Sequence, residues 1–148
     1  MKKNIILLFL VSLCFCFSNC SKDDEENGIG SENLIYGTWQ LTWEEGLEEG
    51  EKYSESYSSL RYYRFDENMD FVVYRKDKDT GKWEKYDSGT YMIDVQNETF
   101  VMDYDDYTLL TLTSKTLKIK SVWEYNGEEE YQIQTFTRVS DSVLNDLE

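Results

Sequence analysis

The sequence predicts an all-β domain, built as an antiparallel, eight-stranded up-and-down barrel. From residue 34 onward, short runs rich in aromatic and β-branched residues alternate with period two, which is typical of half-buried strands. No apolar stripe with a 3.6-residue period persists over a helical length. Turn residues break the runs at intervals of about 13 residues, the spacing of a meander. Eight such strands avoid exposed edges by closing into a barrel. A two-sheet sandwich is the alternative, which the short connections disfavour.

Residues 1–19 are predicted to be an export signal that precedes the domain. Two lysines are followed by an apolar run over 5–17. As a helix this run covers about 20 Å, too short for a hydrocarbon core of about 30 Å. A buried N-terminal helix is the alternative. Cys14 and Cys16 lie within the run, so only Cys20 would remain after cleavage, and a single cysteine cannot form an internal disulfide.

The residues around Cys20 resemble a bacterial lipoprotein processing site, with Phe-Ser-Asn-Cys at 17–20. The resemblance implies cleavage before Cys20 and acylation of its thiol. The charged run that follows resembles the surface-export signal of lipoproteins in Bacteroidetes-type bacteria; it comprises Lys22, Asp23, Asp24, Glu25 and Glu26. The alternative interpretation of this charged run is a solvated tether, because blocks of charge are usually disordered. The resemblance implies a protein anchored in the bacterial outer membrane through acylated Cys20 and facing the cell exterior.

The domain is assigned to residues 34–140, between a flexible acidic tether over 20–33 and a C-terminal tail over 141–148. Its strands are predicted at 36–43, 60–65, 69–75, 83–95, 99–104, 107–113, 116–125 and 130–139. Asn126-Gly127 is a strong hairpin signal, and Gly89 indicates a bend in the fourth strand. Residues 44–57, with six glutamates, are predicted to form a long loop over the mouth of the barrel. The tail is expected to make one frayed turn.

Motifs near both ends of this domain resemble the lipocalin family, and more closely the short lipocalin-like domains of bacterial lipoproteins. They are Gly-Thr-Trp at 37–39 and Phe-Thr-Arg at 136–138. Three further segments, 63–66, 88–91 and 112–117, also resemble sequences that recur in those domains. The resemblance therefore covers residues 34–139.

The lipocalin resemblance implies a closed barrel end built from Gly37, Trp39 and Arg138. Trp39 would lie across this end, with the Arg138 guanidinium over its ring. Such a contact contributes about 0.5–2 kcal/mol. The sequence departs from the family in being shorter than a typical lipocalin and in lacking the long helix that normally follows the last strand, and this departure predicts a smaller interior or none.

Aromatic side chains are the candidate ligand-binding residues, namely Tyr62, Phe71, Tyr91, Phe100 and Trp123. Facing inward, they would line an apolar pocket with a few polar contacts. The sequence therefore predicts a small apolar or neutral ligand in or at the mouth of the barrel. The alternative is a filled core in a structural lipoprotein that contacts an envelope protein. A third hypothesis is carbohydrate contact through Trp43 or Trp83.

Other function classes lack the residues that they need. The chain has no His, the side chain that most often serves as a catalytic general base. Its net charge of −15 argues against nucleic-acid binding, because phosphates are neutralised by Lys and Arg. Removal of residues 1–19, which hold two lysines and no acidic residue, would make the charge −17. Asp77, Asp79 and Gly81 have the spacing of half a calcium loop, but Ser88 stands where the closing glutamate belongs. No nucleophile motif or phosphate-binding loop occurs. We therefore predict no enzyme activity, cofactor or metal.

Overall fold

The computed structural model describes residues 28–57, 61–77 and 79–144. The predicted signal sequence, Cys20 and the export signal lie outside the described residues; that signal comprises Lys22, Asp23, Asp24, Glu25 and Glu26. In the part of the chain that the structure describes, no helix is both long enough and apolar enough to cross a membrane.

Nine strands follow one another in the described ranges. They are β1 (Gly37–Glu48), β2 (Glu51–Ser56), β3 (Arg61–Phe65), β4 (Asp70–Lys76), β5 (Trp83–Asp94), β6 (Thr99–Met102), β7 (Asp105–Leu112), β8 (Thr116–Tyr125) and β9 (Glu128–Val139). One turn of 3₁₀ helix, Glu32–Ile35, precedes β1, and another, Asp141–Leu144, follows β9.

The strands form one antiparallel sheet that closes on itself. Consecutive strands pair from β3 to β9, and β9 pairs with β1 to complete the ring. On its other edge, β1 pairs with β3 at Gly37–Gln40 and with β2 at Trp43–Glu48. The ring therefore has eight positions, and β2 extends β3 along the same edge of β1. The predicted eight-stranded barrel is confirmed, and the sandwich alternative is wrong.

The prediction of a long loop over residues 44–57 is wrong. Strand β1 continues to Glu48, and Glu49 and Gly50 form a two-residue turn into β2. Their φ angles of 52° and 77° are both positive, as a hairpin of this length favours. Glutamate is a poor strand former, so the local sequence favours a loop. The tertiary context overrides it, because β9 pairs with β1 as far as Leu47.

The predicted strand boundaries at two turns are also corrected. The predicted strands 69–75 and 99–104 include Met69 and Asp103, but these residues lie in turns with φ angles of 65° and 56°. Asn126 and Gly127 form the predicted hairpin turn, with φ angles of 53° and 82°. Positive φ values mark tight turns in each case, and only the Asn-Gly turn has a clear sequence signal.

Strand β5 changes partner near Gly89. Residues 83–90 pair with β4, and residues 91–94 pair with β6. The register of the β4–β5 pair shifts between Val73 and Tyr74, where Tyr86 is the extra residue of β5. At Gly89 the turn after β6 comes so close that a Cβ atom would stand 1.7 Å from the Asp103 carboxylate. A side chain at position 89 would therefore displace the Asp103 carboxylate, which accepts from the Thr90 amide at 3.2 Å.

The half of the barrel where β1 begins is packed solid with aromatic rings. The buried aromatic residues are Trp39, Tyr63, Phe65, Phe71, Tyr91, Phe100 and Phe136. The Phe65 ring lies edge-on to Tyr91, with centroids 5.0 Å apart, and to Phe100, with centroids 5.7 Å apart. Edge-to-face pairs of this kind stabilise a core beyond the area that they bury.

Both terminal segments of the described chain pack against this closed end. Ile29 forms a parallel bridge with Leu112, and the Gly30 amide donates to the Leu112 carbonyl at 2.7 Å. The last residues of the predicted tether thus contact the barrel. At the other terminus, the single turn contains Leu144, which is buried. The closed end is therefore covered by chain from both directions.

Candidate functional site

The closed end brings Trp39 and Arg138 into direct contact. Trp39 is fully buried, and its indole N–H donates to the Ile35 carbonyl at 2.7 Å. The Arg138 guanidinium carbon lies 4.3 Å from the centre of the Trp39 ring. Its nitrogens donate to the carbonyl oxygens of Leu34 and Tyr36, the latter at 2.5 Å. Arg138 therefore joins the segment before β1 to the last strand.

Gly37 provides the space that Arg138 occupies. Its φ angle is 117°, and a Cβ atom there would stand 2.5 Å from an Arg138 guanidinium nitrogen. The neighbouring Thr38 hydroxyl donates to the Asp141 carboxylate at 2.6 Å. Burial lowers the pKa of the Arg138 guanidinium, and the nearby Asp141 carboxylate opposes that shift. These contacts join the start of β1 to the end of β9 and to the turn that follows it.

The candidate ligand-binding aromatics are not brought together around one cavity. Phe71, Tyr91 and Phe100 belong to the packed core. Tyr62 is also buried, but outside that cluster, and it stacks on Trp83 with ring centroids 4.5 Å apart. Tyr62 precedes the core residue Tyr63 in a strand, so the two side chains point to opposite faces.

Two of these aromatics make polar contacts that fix their position. The Tyr91 hydroxyl donates to the Asp66 carbonyl at 2.7 Å, and burial raises the pKa of Tyr91 well above its usual value. Trp123 is 37% exposed, and its indole N–H donates to Glu130 at 2.8 Å. Buried Glu130 also accepts from the Glu49 amide at 2.6 Å, which ties the β1–β2 turn to the β8–β9 hairpin.

A cavity of about 410 Å³ lies above the packed core, towards the open end of the barrel. It is lined by Leu41, Tyr57, Arg61, Arg75, Lys76, Asp77 and Asp79. Leu41 is a buried core residue and forms an apolar floor. Arg61 and Arg75 are opposite each other on β3 and β4. The cavity therefore combines an apolar base with a charged rim.

The charged rim is ordered by local contacts. Arg75 forms a salt bridge with Glu84 at 3.1 Å, and its guanidinium lies 4.1 Å from the centre of the Tyr86 ring. One oxygen of the Asp77 carboxylate accepts from the amide and the hydroxyl of Thr80, at 2.6 and 2.8 Å. These bonds lower the pKa of Asp77. Asp77 thus shapes the β4–β5 turn.

A second, wider concavity of about 770 Å³ lies beside the β1–β2 hairpin. Its glutamates include two pairs directly opposite each other, Glu44 with Glu55 and Glu48 with Glu51. Like charges in this position destabilise a strand pair. Across residues 28–57, 61–77 and 79–144, no group of three or more metal-ligating side chains could hold a metal ion. The concavity is a charged surface beside the mouth.

Sequence reasoning missed Leu41, Arg61 and Arg75 as cavity residues. The signal was present in the strand period, because Arg61 shares a face with the core residues Tyr63 and Phe65. Arg75 follows the core residues of β4 in the same way, two positions after Val73. A search for aromatic side chains could not find these positions.

Comparison with known proteins identifies a family and a set of similar folds. A family model described as a lipocalin-like domain matches residues 35–119. Bovine odorant-binding protein, in a complex with its natural ligand, is 19% identical over 83% of this chain and 84% of that chain, with a TM-score of 0.44. Lobster apocrustacyanin A1 is 16% identical over 78% of this chain and 68% of that chain, with a TM-score of 0.45. The cockroach allergen Per a 4 is 16% identical over 77% and 71%, with a TM-score of 0.45. No curated protein sequence matches the chain significantly.

Proposed function

Since the chain belongs to the lipocalin-like domain family, we propose that it is a binding protein and not an enzyme, and that it holds a small, largely apolar molecule at the open end of its barrel. The observation that supports this proposal is the cavity of about 410 Å³ above Leu41. Small-molecule sites have volumes of about 300–1,000 Å³. Each 100 Å² of apolar ligand area removed from water there contributes about 2.5 kcal/mol before the costs of association.

Native mass spectrometry tests this proposal directly. The full chain is incubated with crude cell and medium extracts, and its mass is recorded under native conditions. We expect a retained small molecule of defined mass. Leu41→Phe adds volume at the cavity floor and should abolish retention. Leu110→Phe is the matched control, because Leu110 is 37% exposed on the barrel surface.

Two results would contradict ligand binding at this cavity. One is a clean apo spectrum across several extracts. The other is equal retention by the Leu41→Phe variant and the wild type, with the fold of both verified by circular dichroism. Either result favours the alternative of a filled-core interaction protein. Exposed aromatics such as Tyr104, which is 98% exposed, would then be the contact candidates.

We also propose that the protein is anchored to the bacterial outer membrane through acylated Cys20 and displayed on the outer face. The support is the lipoprotein-like sequence around Cys20 and the position of the segment that follows. Residues 28–30 pair with Leu112 at the closed end of the barrel. An anchor at Cys20 would therefore hold the closed end nearest the membrane and leave the cavity facing away from it.

A cysteine variant and a charge variant test the anchor and its display. Cys20→Ala should abolish incorporation of labelled fatty acid and shift the protein out of the detergent phase. Cys16→Ala is the control, since Cys16 lies in the predicted leader. Alanine replacement of residues 23–26 should reduce cleavage by protease added to intact cells. Acylation that persists in Cys20→Ala would refute the anchor, and unchanged cleavage would refute the export signal.

A further inference from the structure

The open half of the barrel leaves one side of β8 without a neighbouring strand. The β6–β7 hairpin is short, and its turn ends beside Gly89 in the middle of β5. Strand β7 pairs with β8 only as far as Lys120, which is opposite Thr108. Beyond this point Ser121–Tyr125 pairs with β9, and no strand in the described ranges pairs with its other side. We call this free side of Ser121–Tyr125 the β8 edge.

The backbone groups of Val122 and Glu124 point outward along the β8 edge. In an antiparallel pair, residues that bond to the partner strand alternate with residues that bond to the other side. The Arg138 amide donates to the Lys115 carbonyl at 2.9 Å, and this pair continues the β8–β9 register. The odd-numbered residues of β8 therefore bond to β9, and the even-numbered ones face away. Their free N–H and C=O groups are a template for a further strand.

The β8 edge lacks the features by which proteins commonly protect a free strand edge, namely lysine, proline, clustered charge or a bulge. Two other described segments have one unpaired side, and both are protected. Residues 83–88 of β5 contain Lys85 and the extra residue Tyr86, and β2 contains Lys52 and two glutamates. The β8 edge has the sequence Ser-Val-Trp-Glu-Tyr, and its register with β9 shows no shift. Valine, tryptophan and tyrosine favour strands, so this edge is suited to pairing.

Exposed aromatic side chains lie on the β8 edge and next to it. Trp123 and Tyr125 share a face of β8 with the core residue Ile119, but both are exposed, beyond the packed core. The Trp123 indole is held in place by its hydrogen bond to Glu130. Tyr104, in the β6–β7 turn, is almost fully exposed. A strand added to the β8 edge would place its own side chains beside Trp123 and Tyr125, where cross-strand contacts stabilise a pair.

The charge around the β8 edge is negative and uncompensated. Asp105 and Asp106 are exposed just before the point where β7 leaves β8, and exposed Glu124 lies on the edge itself. Among the described residues, none of these three carboxylates has a Lys or Arg nitrogen within 4.0 Å. The nearby Lys120 ammonium lies 4.8 Å from the centre of the Tyr131 ring, on the side of β9. The edge therefore favours a cationic partner.

We propose that the β8 edge binds an extended, basic segment of a partner protein, which adds one strand to the sheet. Backbone groups of Val122 and Glu124 bond to the segment, and its apolar side chains pack beside Trp123 and Tyr125. The carboxylates around the edge attract its lysines or arginines. A second copy of this chain is a poor occupant, because two sets of carboxylates would meet. This interaction is separate from the small molecule proposed at the open end.

Three peptides of about six residues, the usual length of a strand, test the proposal by fluorescence anisotropy with the full chain. The first alternates lysine with valine, and the second alternates glutamate with valine. The third repeats the first with every amide nitrogen methylated, so that it cannot donate backbone hydrogen bonds. We expect only the first to bind, and to bind more weakly as the salt concentration rises from about 50 to 200 mM. Bound peptide should slow hydrogen exchange at the amides of Val122 and Glu124.

A proline variant tests the backbone contact. The N–H of Val122 points away from β9, so Val122→Pro blocks the β8 edge and leaves the β8–β9 ladder intact. It should weaken the lysine peptide by about 10-fold or more. Ser54→Pro is the matched control on the free side of β2. The Tyr57 amide donates to the Thr42 carbonyl, so by the same alternation the Ser54 N–H points away from β1.

A charge variant tests the carboxylates without altering the backbone. Asp105→Asn combined with Asp106→Asn should weaken the lysine peptide and reduce its salt dependence. Glu32→Gln combined with Glu67→Gln is the matched control, because both glutamates are exposed at the closed end. This double variant should bind the peptide as the wild type does. Circular dichroism verifies the fold of every variant, and the charge variant and the methylated peptide remain decisive if Val122→Pro does not fold.

Several results would overturn the proposal. They are no binding of the lysine peptide, equal binding of the glutamate or the methylated peptide, and equal effects of Val122→Pro and Ser54→Pro. Slow exchange of the Val122 amide in the free chain would show that the chain's own residues cover the edge. A dimer in analytical ultracentrifugation that Val122→Pro converts to a monomer would assign the edge to a second copy instead.

Discussion

Replacing Trp39 by alanine should lower the free energy of unfolding by about 3–5 kcal/mol, the usual loss for a fully buried large aromatic side chain. Trp39 is 0% exposed. The variant removes the indole N–H that donates to Ile35, and it removes the ring beneath the Arg138 guanidinium. Domains of this size are stable by only about 5–15 kcal/mol. Urea titration monitored by circular dichroism should therefore show a large fall in the unfolding midpoint.

Trp43→Ala is the control for this experiment. Trp43 lies on the same strand but is 39% exposed, and its indole N–H donates to the Glu45 carboxylate at 3.2 Å. We expect a loss of less than about 1 kcal/mol, because surface substitutions have small effects. If both variants lost the same free energy of unfolding, burial of Trp39 would not be what stabilises the closed end.

The difference between Trp39 and Trp43 also shows what the sequence could and could not predict. Both tryptophans stand at odd positions of one strand, so strict alternation places them on the same face. The β1–β9 register shifts between Leu41 and Trp43, which makes Thr42 a bulge. The Thr42 hydroxyl contacts the carbonyl of Thr135 at 3.1 Å. A bulge reverses the faces of all residues beyond it.

Three such register shifts occur in the described strands, in the β1–β9, β4–β5 and β7–β8 pairs. For this reason strand periodicity predicted the barrel but could not say which aromatics face inward near the open end. The pair Tyr62 and Tyr63 shows a second limit, which does not depend on a register shift, because the residues are chemically identical. Only the pairing of Tyr63 with Trp39, and of Tyr62 with Gln40, decides which one enters the core.

The β1–β2 hairpin could not be predicted from the sequence, because its formation also depends on strand pairing. Residues 44–48 have a loop-like composition, yet they form a strand because β9 and β2 pair with both edges. The β9 partners of residues 44–47 are 84 to 90 positions away in the sequence, so they leave no trace in a local window. The cavity also depends on pairing between strands. Its lining residues lie on three different strands, with Leu41 on β1, Arg61 on β3 and Arg75 on β4.

Replacing Gly37 by alanine should destabilise the protein by about 3 kcal/mol or more, for two physical reasons. A φ angle of 117° is one that residues with a Cβ atom rarely adopt, and such strain costs about 1–3 kcal/mol. The new Cβ atom would also stand 2.5 Å from the Arg138 guanidinium. Arg138 would then lose its hydrogen bonds to Leu34 and Tyr36, and bonds from a charged donor contribute about 1.5–3 kcal/mol each. Urea titration measures the loss.

Two further variants separate the strain from the collision. Gly50 also has a positive φ angle, 77°, but nothing lies within 4 Å of its Cβ position, so Gly50→Ala should show strain alone. In an Arg138→Ala background, Gly37→Ala should cost at least about 1 kcal/mol less than in the wild type, because the colliding group is gone. An equal cost in both backgrounds would show that the closed end tolerates displacement of Arg138. The closed end would then depend on the burial of Trp39, and Gly37 would serve only the backbone turn into β1.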